Sequence, residues 1–387
     1  MKPISRRARR IPHSATLRIL ELTRKLKEQG QDIISLSVGE PDFKTPQPII
    51  DAAKEALDKG ETHYAPSRGL TELREEIARK MREENKVPAE KENILVTIAK
   101  HGIFMVSEAI LQHGDEVIVP DPGWVSYIPI SIFSGAHYIP LPAYEHDGFE
   151  PSIEHLQEIV SQKTKLLVLN TPSNPTGAVY HKKTLKAIAD LAEDYDFYVM
   201  SDEIYEKLIY GRKHISIASI GNMWERTITL NGFSKAYAMT GWRIGWITAP
   251  SNLIDVFDKI QQQTITCNPP FIQRAAIVAL REGKPYTEKM RKEFNRRRMA
   301  AIDRIGEMMV LDAFKPQGAF YIFAKYQTDM NSFEVVEHLL REYGVAVTPG
   351  GSFGVHGEGY IRISYANSME KILEGLDRIE KGLSALE

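Results

Sequence analysis

The chain of 387 residues has a single cysteine, Cys267. One cysteine excludes an intrachain disulfide. With no evident base beside it, Cys267 reads as a packing residue rather than a nucleophile. No apolar stretch approaches the ~20 residues of a membrane-spanning helix. The N-terminus lacks the apolar core of a signal peptide. Together these absences point to a cytoplasmic protein. A charge excess is also missing: 49 basic against 51 acidic residues leave a net charge of −2, so nothing draws the whole chain to nucleic acid. The basic run Arg6–Arg10 reads as a solvated tail rather than as an arm on an acidic surface. There is no internal repeat, low-complexity tract or metal-ligand cluster. The glycine-rich run from Thr348 to Gly359 does not open a helix, so it fails the dinucleotide fingerprint and argues against a nicotinamide-dependent dehydrogenase.

What is present is an ordinary hydrophobic fraction, 43%, in a chain long enough for two domains. Short apolar runs at 94–98, 117–119, 166–169, 197–200, 227–230 and 244–249 read as strands. Helical patterns lie between several of them, as in Ile103, Phe104, Val106, Ile110 and Leu111, or across 181–194. Alternating strands and helices are the signature of a largely parallel sheet covered on both faces. The large domain is expected at 46–285. Residues 286–309 read as a long charged helix, and strands at 319–324, 345–347 and 360–364 with a helix near 333–343 form a smaller C-terminal domain at 286–387. Residues 1–45 are an N-terminal arm plus part of the small domain, with Leu17, Leu20, Leu22 and Leu26 as a partial apolar stripe.

The chain is organised around residues 231–246, Asn-Gly-Phe-Ser-Lys-Ala-Tyr-Ala-Met-Thr-Gly-Trp-Arg-Ile-Gly-Trp. Lys235 sits in a loop between two strands, among small and aromatic neighbours. A lysine in a dry pocket loses part of its preference for charge, and a neutral amine condenses with an aldehyde. Arg243, always cationic, can hold a phosphate. Taken alone, the stretch reads at least as well as a surface lysine and a structural arginine. Other features gain weight beside it. Asn170-Thr-Pro-Ser-Asn-Pro-Thr-Gly177 carries two X-Pro steps that force an extended, turned loop, with Pro172 and Pro175 each a candidate for a cis bond; Asn174 there can donate to a phenolate oxygen. Asp202, Glu203 and Tyr205 follow a strand, where ligands of open α/β sheets bind; the alternative is that the two acids cap a helical turn. The strand–turn–helix around Ala99, Lys100 and His101 is the geometry of a backbone phosphate cradle, although it is not glycine-rich. Trp124 can stack on a pyridine ring or be a half-buried core residue. Arg362, inside the last strand, can fork onto a carboxylate.

Ser-Lys followed by Thr-Gly-Trp-Arg-Ile-Gly resembles the lysine segment of class I aminotransferases, pyridoxal-phosphate enzymes of fold type I. The likeness runs from about Ile33 to the C-terminus and is nearest to the microbial aspartate and aromatic aminotransferase branch. It implies an α/β fold with a mostly parallel seven-stranded sheet in the large domain and a smaller α/β C-terminal domain. It implies pyridoxal 5'-phosphate on Lys235, its phosphate held by Arg243, Ser234, the amides of Ala99 and Lys100, and Tyr64 reaching across a homodimer interface. Gly232 stands where some relatives have a serine, which removes one phosphate contact. Asp202 would face the ring nitrogen, Asn174 and Tyr205 the phenolic oxygen, and Trp124 the ring. The substrate would meet Arg362, Gly39, Asn174, Trp124 and His101; His101 falls where aspartate-preferring relatives carry a lysine for the distal carboxylate. The implied reaction moves the amino group of an L-amino acid, aspartate or aromatic, to a 2-oxo acid such as 2-oxoglutarate by a ping-pong route, with Lys235 as the base. A lyase or synthase on the same fold is the alternative. The aromatic set Tyr64, Trp124, Tyr127 and Phe353 suits aromatic or broad specificity.

Overall fold

The computed structural model describes residues 4–11 and 15–386. Strand β1 (Ile34–Ser35) is short. Seven strands follow, β2 (Ile94–Thr97), β3 (Glu116–Asp121), β4 (His137–Pro142), β5 (Thr164–Asn170), β6 (Tyr198–Asp202), β7 (Thr227–Gly232) and β8 (Gly245–Thr248). They form one sheet in the order β2-β8-β7-β6-β5-β3-β4. Only β8 runs against its neighbours; the pairs among β3 to β7 are parallel. The expected seven-stranded, mostly parallel sheet is therefore present.

Burial on both faces explains why these strands read as unbroken apolar runs. In β5, Leu167 and Leu169 enter one core cluster while Leu166 and Val168 enter another. That is the two-residue period of a strand with helices above and below. One cover holds the helices Gln47–Asp58, Thr71–Lys80 and Pro270–Glu282, whose Ile49, Ile77 and Ala276 pack with Val96 and Trp246. The opposite cover holds Ala99–Ile110 and Ser251–Gln262, packed through Val106 and Phe257. The sequence misses β4. Its His-Tyr-Ile-Pro-Leu-Pro has two prolines and no apolar run, which an edge strand tolerates because one side of its ladder is open.

In the C-terminal third, β9 (Leu311–Ala313), β10 (Tyr321–Tyr326), β11 (Val345–Ala346), β12 (Thr348–Pro349) and β13 (Tyr360–Ser364) complete the count. The antiparallel sheet runs β12-β13-β10-β9, while β11 pairs with β1. This sheet packs on the 22-residue helix Lys284–Ile305 and on Ser332–Tyr343 and Met369–Ser384. The long helix buries Met290, Phe294, Ala301 and Ile305, a stripe of four- and seven-residue steps. The N-terminal helix Ala15–Glu28 corrects one expectation. It turns Ile19, Thr23 and Leu26 inward, whereas Leu17 and Leu20 are 64% and 45% exposed.

Candidate active site

The carboxyl ends of the parallel strands open into a cavity of about 320 Å³. Asn170 ends β5, Asp202 ends β6, and β7 leads into the Lys235 turn, so three adjacent strands deliver side chains to one place. Arg362 arrives from the other sheet through β13.

The Lys235 turn is anchored at both ends. Phe233 and Met239 are fully buried, Met239 N donates to Ser234 O at 3.2 Å, and Thr287 Oγ1 caps Ala236 O at 2.7 Å. Two non-glycine residues beyond it take left-handed backbone, Ala238 at φ 52° and Arg243 at φ 54°. Such conformations cost about 1 kcal/mol each and persist only where neighbours enforce them. Thr45 Oγ1 on Ala238 O (2.7 Å) and Asn268 Nδ2 on Arg243 O (3.0 Å) do so here. Behind the turn, Gly232 lies opposite Gly245 on the paired strand. A Cβ on Gly232 would sit 2.9 Å from Gly245 Cα, so a serine there would have no room without a backbone shift.

Lys235 Nζ donates to Gly39 O at 2.5 Å. Burial lowers its pKa to about 8, opposed by Glu40 and helped by the Arg362 and Arg243 charges. Asp202 moves the other way. Burial raises its carboxyl to about 6, although Tyr127 Oη (2.7 Å) and Ile204 N (3.2 Å) donate to it. Arg362 is 4% exposed. It donates to Asn174 Oδ1 at 2.9 Å, Ser37 O at 2.7 Å and Thr348 Oγ1 at 3.2 Å, with its guanidinium 4.3 Å from the Tyr321 ring centre. Its Nε is buried without an acceptor. Among the described residues no carboxylate lies within 4 Å of the cationic groups of Lys100, Lys235, Arg243 or Arg362. Four cations facing a cavity with one carboxylate, Asp202, form a receptor for anions.

Of the sequence-predicted residues, the cavity brings together Lys235, Ser234, Arg243, Asp202, Tyr205, Asn174, Trp124, Ala99, Lys100, Gly39 and Arg362. Ala99 and Lys100 open a helix, where the first amides have no intrahelical acceptor. Both Thr171–Pro172 and Asn174–Pro175 are cis, as is Asp121–Pro122. Two residues fall outside. Tyr64 is 88% exposed and does not line this cavity. His101 points away: its Nε2 lies 2.9 Å from Thr264 Oγ1 and its ring stacks on Phe104. On a helix each residue is rotated about 100° from the last. Lys100, one place earlier, faces the cavity and sets its ammonium 4.9 Å from the Trp124 ring centre.

Sequence reasoning missed the residues that orient the others. Tyr127, noted only as one of an aromatic set, is the buried donor to Asp202. Tyr321 hydrogen-bonds Tyr205 Oη at 2.9 Å beneath Arg362. Asn170 accepts from Asn174 N at 2.8 Å and donates to Asp202 O at 3.0 Å, so it ties β5 to β6. Nothing local in sequence marks Tyr321. Asn170 stood at the head of the Pro-rich loop, where the signal was available. Glu203, Glu206 and His214 also meet in one buried cluster. Lys80 pairs with Glu206, and Asn85, Ser201 and Ser216 donate to the two carboxylates, so the cluster already holds its own cation.

A half-buried lysine of lowered pKa, a strand-end aspartate and an anion-receptive cavity suit an enzyme that works on carboxylate substrates. The profile of the family described as aminotransferase class I and II matches residues 31–379. An aspartate aminotransferase of Pyrococcus abyssi is 49% identical across 91% of this chain and 92% of that protein. The aromatic-amino-acid aminotransferase 2 of Thermococcus litoralis is 46% identical across 93% and 95%. The solved aspartate aminotransferase of Thermus thermophilus with maleate superposes with a TM-score of 0.95 at 39% identity, covering 99% of this chain and 100% of that one. The chain belongs to the class I and II aminotransferases. It is a pyridoxal-phosphate-dependent transaminase, and the lyase or synthase alternative is not favoured.

Proposed function

We propose that this transaminase accepts both dicarboxylic and aromatic L-amino acids, with 2-oxoglutarate as acceptor, and that Lys235 is its base. The observation that carries the reading is Arg362: a buried guanidinium with no carboxylate partner and one buried N–H unused. Left empty, such a charge is costly to the fold; a substrate α-carboxylate compensates it through two parallel bonds. The breadth of substrate rests on the walls. Trp124, Ile103, Leu17 and Leu20 offer apolar surface to an aromatic side chain. Lys100, rather than His101, offers a cation to a second carboxylate.

The residues present fit pyridoxal phosphate. Arg243, Ser234 and the amides of Ala99 and Lys100 would hold its phosphate, Asp202 its ring nitrogen, Asn174 and Tyr205 its phenolic oxygen, and Trp124 its ring face. Bound there, the cofactor supplies an electron-withdrawing ring that stabilises negative charge at the substrate Cα. Asp202, held by Tyr127, keeps a proton on the facing nitrogen. Arg362 would orient the α-carboxylate in the cavity that Lys235 also lines. Near neutral pH a lysine of lowered pKa spends part of its time as the free amine, so Nζ can take that proton and give it back. Tyr64, exposed in one chain, would reach the partner subunit's phosphate site in a homodimer. We also divide the chain at 46–285 and 286–387, in keeping with the separate seven-stranded and four-stranded sheets and the long helix starting at Lys284.

The test is transfer of labelled amino nitrogen from aspartate and from phenylalanine to 2-oxoglutarate. Both should donate, and Lys235→Ala should abolish transfer along with the visible absorbance of the bound cofactor. An active, coloured Lys235→Ala protein would overturn the assignment.

A further inference from the structure

The carboxylate of Asp121 lies outside the cavity, and nothing in the proposed chemistry uses it. It is 2% exposed at the last position of β3. Its partners come from a loop more than 230 residues away. Val355 N donates to Oδ2 and His356 N donates to Oδ1, each at 3.1 Å. His356 Nδ1 stands 3.2 Å from Oδ2, without hydrogen-bond alignment. Gly354, at φ 130°, passes so close that a Cβ there would lie 2.0 Å from Asp121 Oδ1. Two residues after Asp121, Gly123 N donates to Phe353 O at 2.8 Å. Both segments are thus stitched together by three cross-connections around one buried charge.

Each stitched segment carries one wall of the active site. On the Asp121 side the chain turns through Pro122 and Gly123 into Trp124, which lines the cavity, and then Tyr127, which donates to Asp202. On the loop side the chain leaves β12, whose Thr348 contacts Arg362, and places the Phe353 ring 5.1 Å from the Arg362 guanidinium. The two ends of a substrate-sized space therefore hang on different sheets, and Asp121 is one of the links between them, beside the direct bond from Arg362 to Asn174. Hydrogen bonds to an ionised acceptor are stronger than neutral ones. A carboxylate is suited to this position because both its oxygens accept, whereas an amide would turn a donor against one of the backbone N–H groups.

We propose that Asp121 is a positioning residue for the transamination: its carboxylate clamps the Phe353 loop to the Trp124 turn and so sets where Arg362 holds the substrate relative to the cofactor-facing indole. The inference rests on the reading of Arg362 as the carboxylate receptor. The amino acid and the 2-oxo acid dock through the same group, so loosening the clamp weakens both.

The test uses the full chain loaded with its cofactor. Asp121→Asn, nearly isosteric, should raise KM for the amino acid and for the 2-oxo acid by a similar factor, about five- to tenfold, with kcat changed by less than about threefold. The inhibition constant of hydrocinnamate, an unreactive monocarboxylate, should rise in step. Gly354→Ala presses on the same carboxylate from the other side, and it keeps the test available if Asp121→Asn does not fold. It should give the same signature, and the double variant should cost less than the two singles combined. A lowered melting temperature with both KM values and the hydrocinnamate constant unmoved would reduce Asp121 to a structural residue and overturn the proposal. So would effects that add independently. Failure of the Arg362 reading shows separately, as an Arg362→Lys enzyme whose hydrocinnamate affinity equals that of the wild type.

Discussion

Replacing Lys235 by methionine should make the cofactor-free protein more stable while destroying its activity. Burial disfavours the ammonium and lowers its pKa from the ordinary 10.5 to about 8 in the fold. At about 1.36 kcal/mol per pKa unit this sets a penalty of roughly 3 kcal/mol on the folded state near pH 7. Methionine removes that penalty and loses the hydrogen bond to Gly39 O, worth about 1 kcal/mol, for a net gain of about 2 kcal/mol. The sign with pH follows from proton binding. Between the two pKa values the unfolded chain holds more protons than the folded one, so wild-type stability from this group rises with pH. The gain of the methionine variant should therefore be full below about pH 8 and shrink by roughly 2 kcal/mol by about pH 9.5. Urea unfolding of both cofactor-free proteins across that range measures it; titrating groups remote from Lys235 cancel in the difference, and Asp202, which feels the Lys235 charge, stays ionised over most of the range. A variant less stable than wild type at pH 7, or a difference that stays flat with pH, would refute the electrostatic reasoning.

Further outcomes follow from the same geometry. Arg362→Lys keeps the charge but loses the planar fork, and kcat/KM for any amino donor should fall by about a hundredfold or more in steady-state assays. Tyr127→Phe removes the 2.7 Å donor to Asp202, which should push that carboxyl's pKa further up and lower kcat roughly tenfold at little-changed KM; an unaltered kcat speaks against the role given to Tyr127. Lys100→Met should lower kcat/KM for aspartate relative to phenylalanine by about tenfold, and a larger shift from His101→Asn would return the distal carboxylate to the histidine.

Much of this protein was legible from residue order alone. The strands β2, β3 and β5 to β8 announced themselves because both faces of the sheet are covered, which leaves short unbroken apolar runs. Lys235, Arg243, Asp202 and Asn174 were legible because each sits at a strand end or in a turn beside glycine or proline, where local chemistry punctuates the chain. Strand β4 was not, since an edge strand can hold prolines and need not be apolar. The inward stripe of the first long helix was misread, because leucine spacing alone does not say which face meets the core and which looks into a cavity.

Tertiary structure alone decided the rest. A side chain's direction at a helix start depends on a rotation of about 100° per residue, so only the packed helix shows Lys100 facing the cavity and His101 turned to Thr264. Tyr321 beneath Arg362, Tyr127 behind Asp202, and Asp121 gripping the Gly354 turn join residues from about 40 to more than 230 positions apart. Such contacts follow from how the two sheets dock. Residue order therefore determined which chemical groups this enzyme owns, and docking determined which of them meet, because hydrogen bonds and burial act over ångströms of space rather than along the chain.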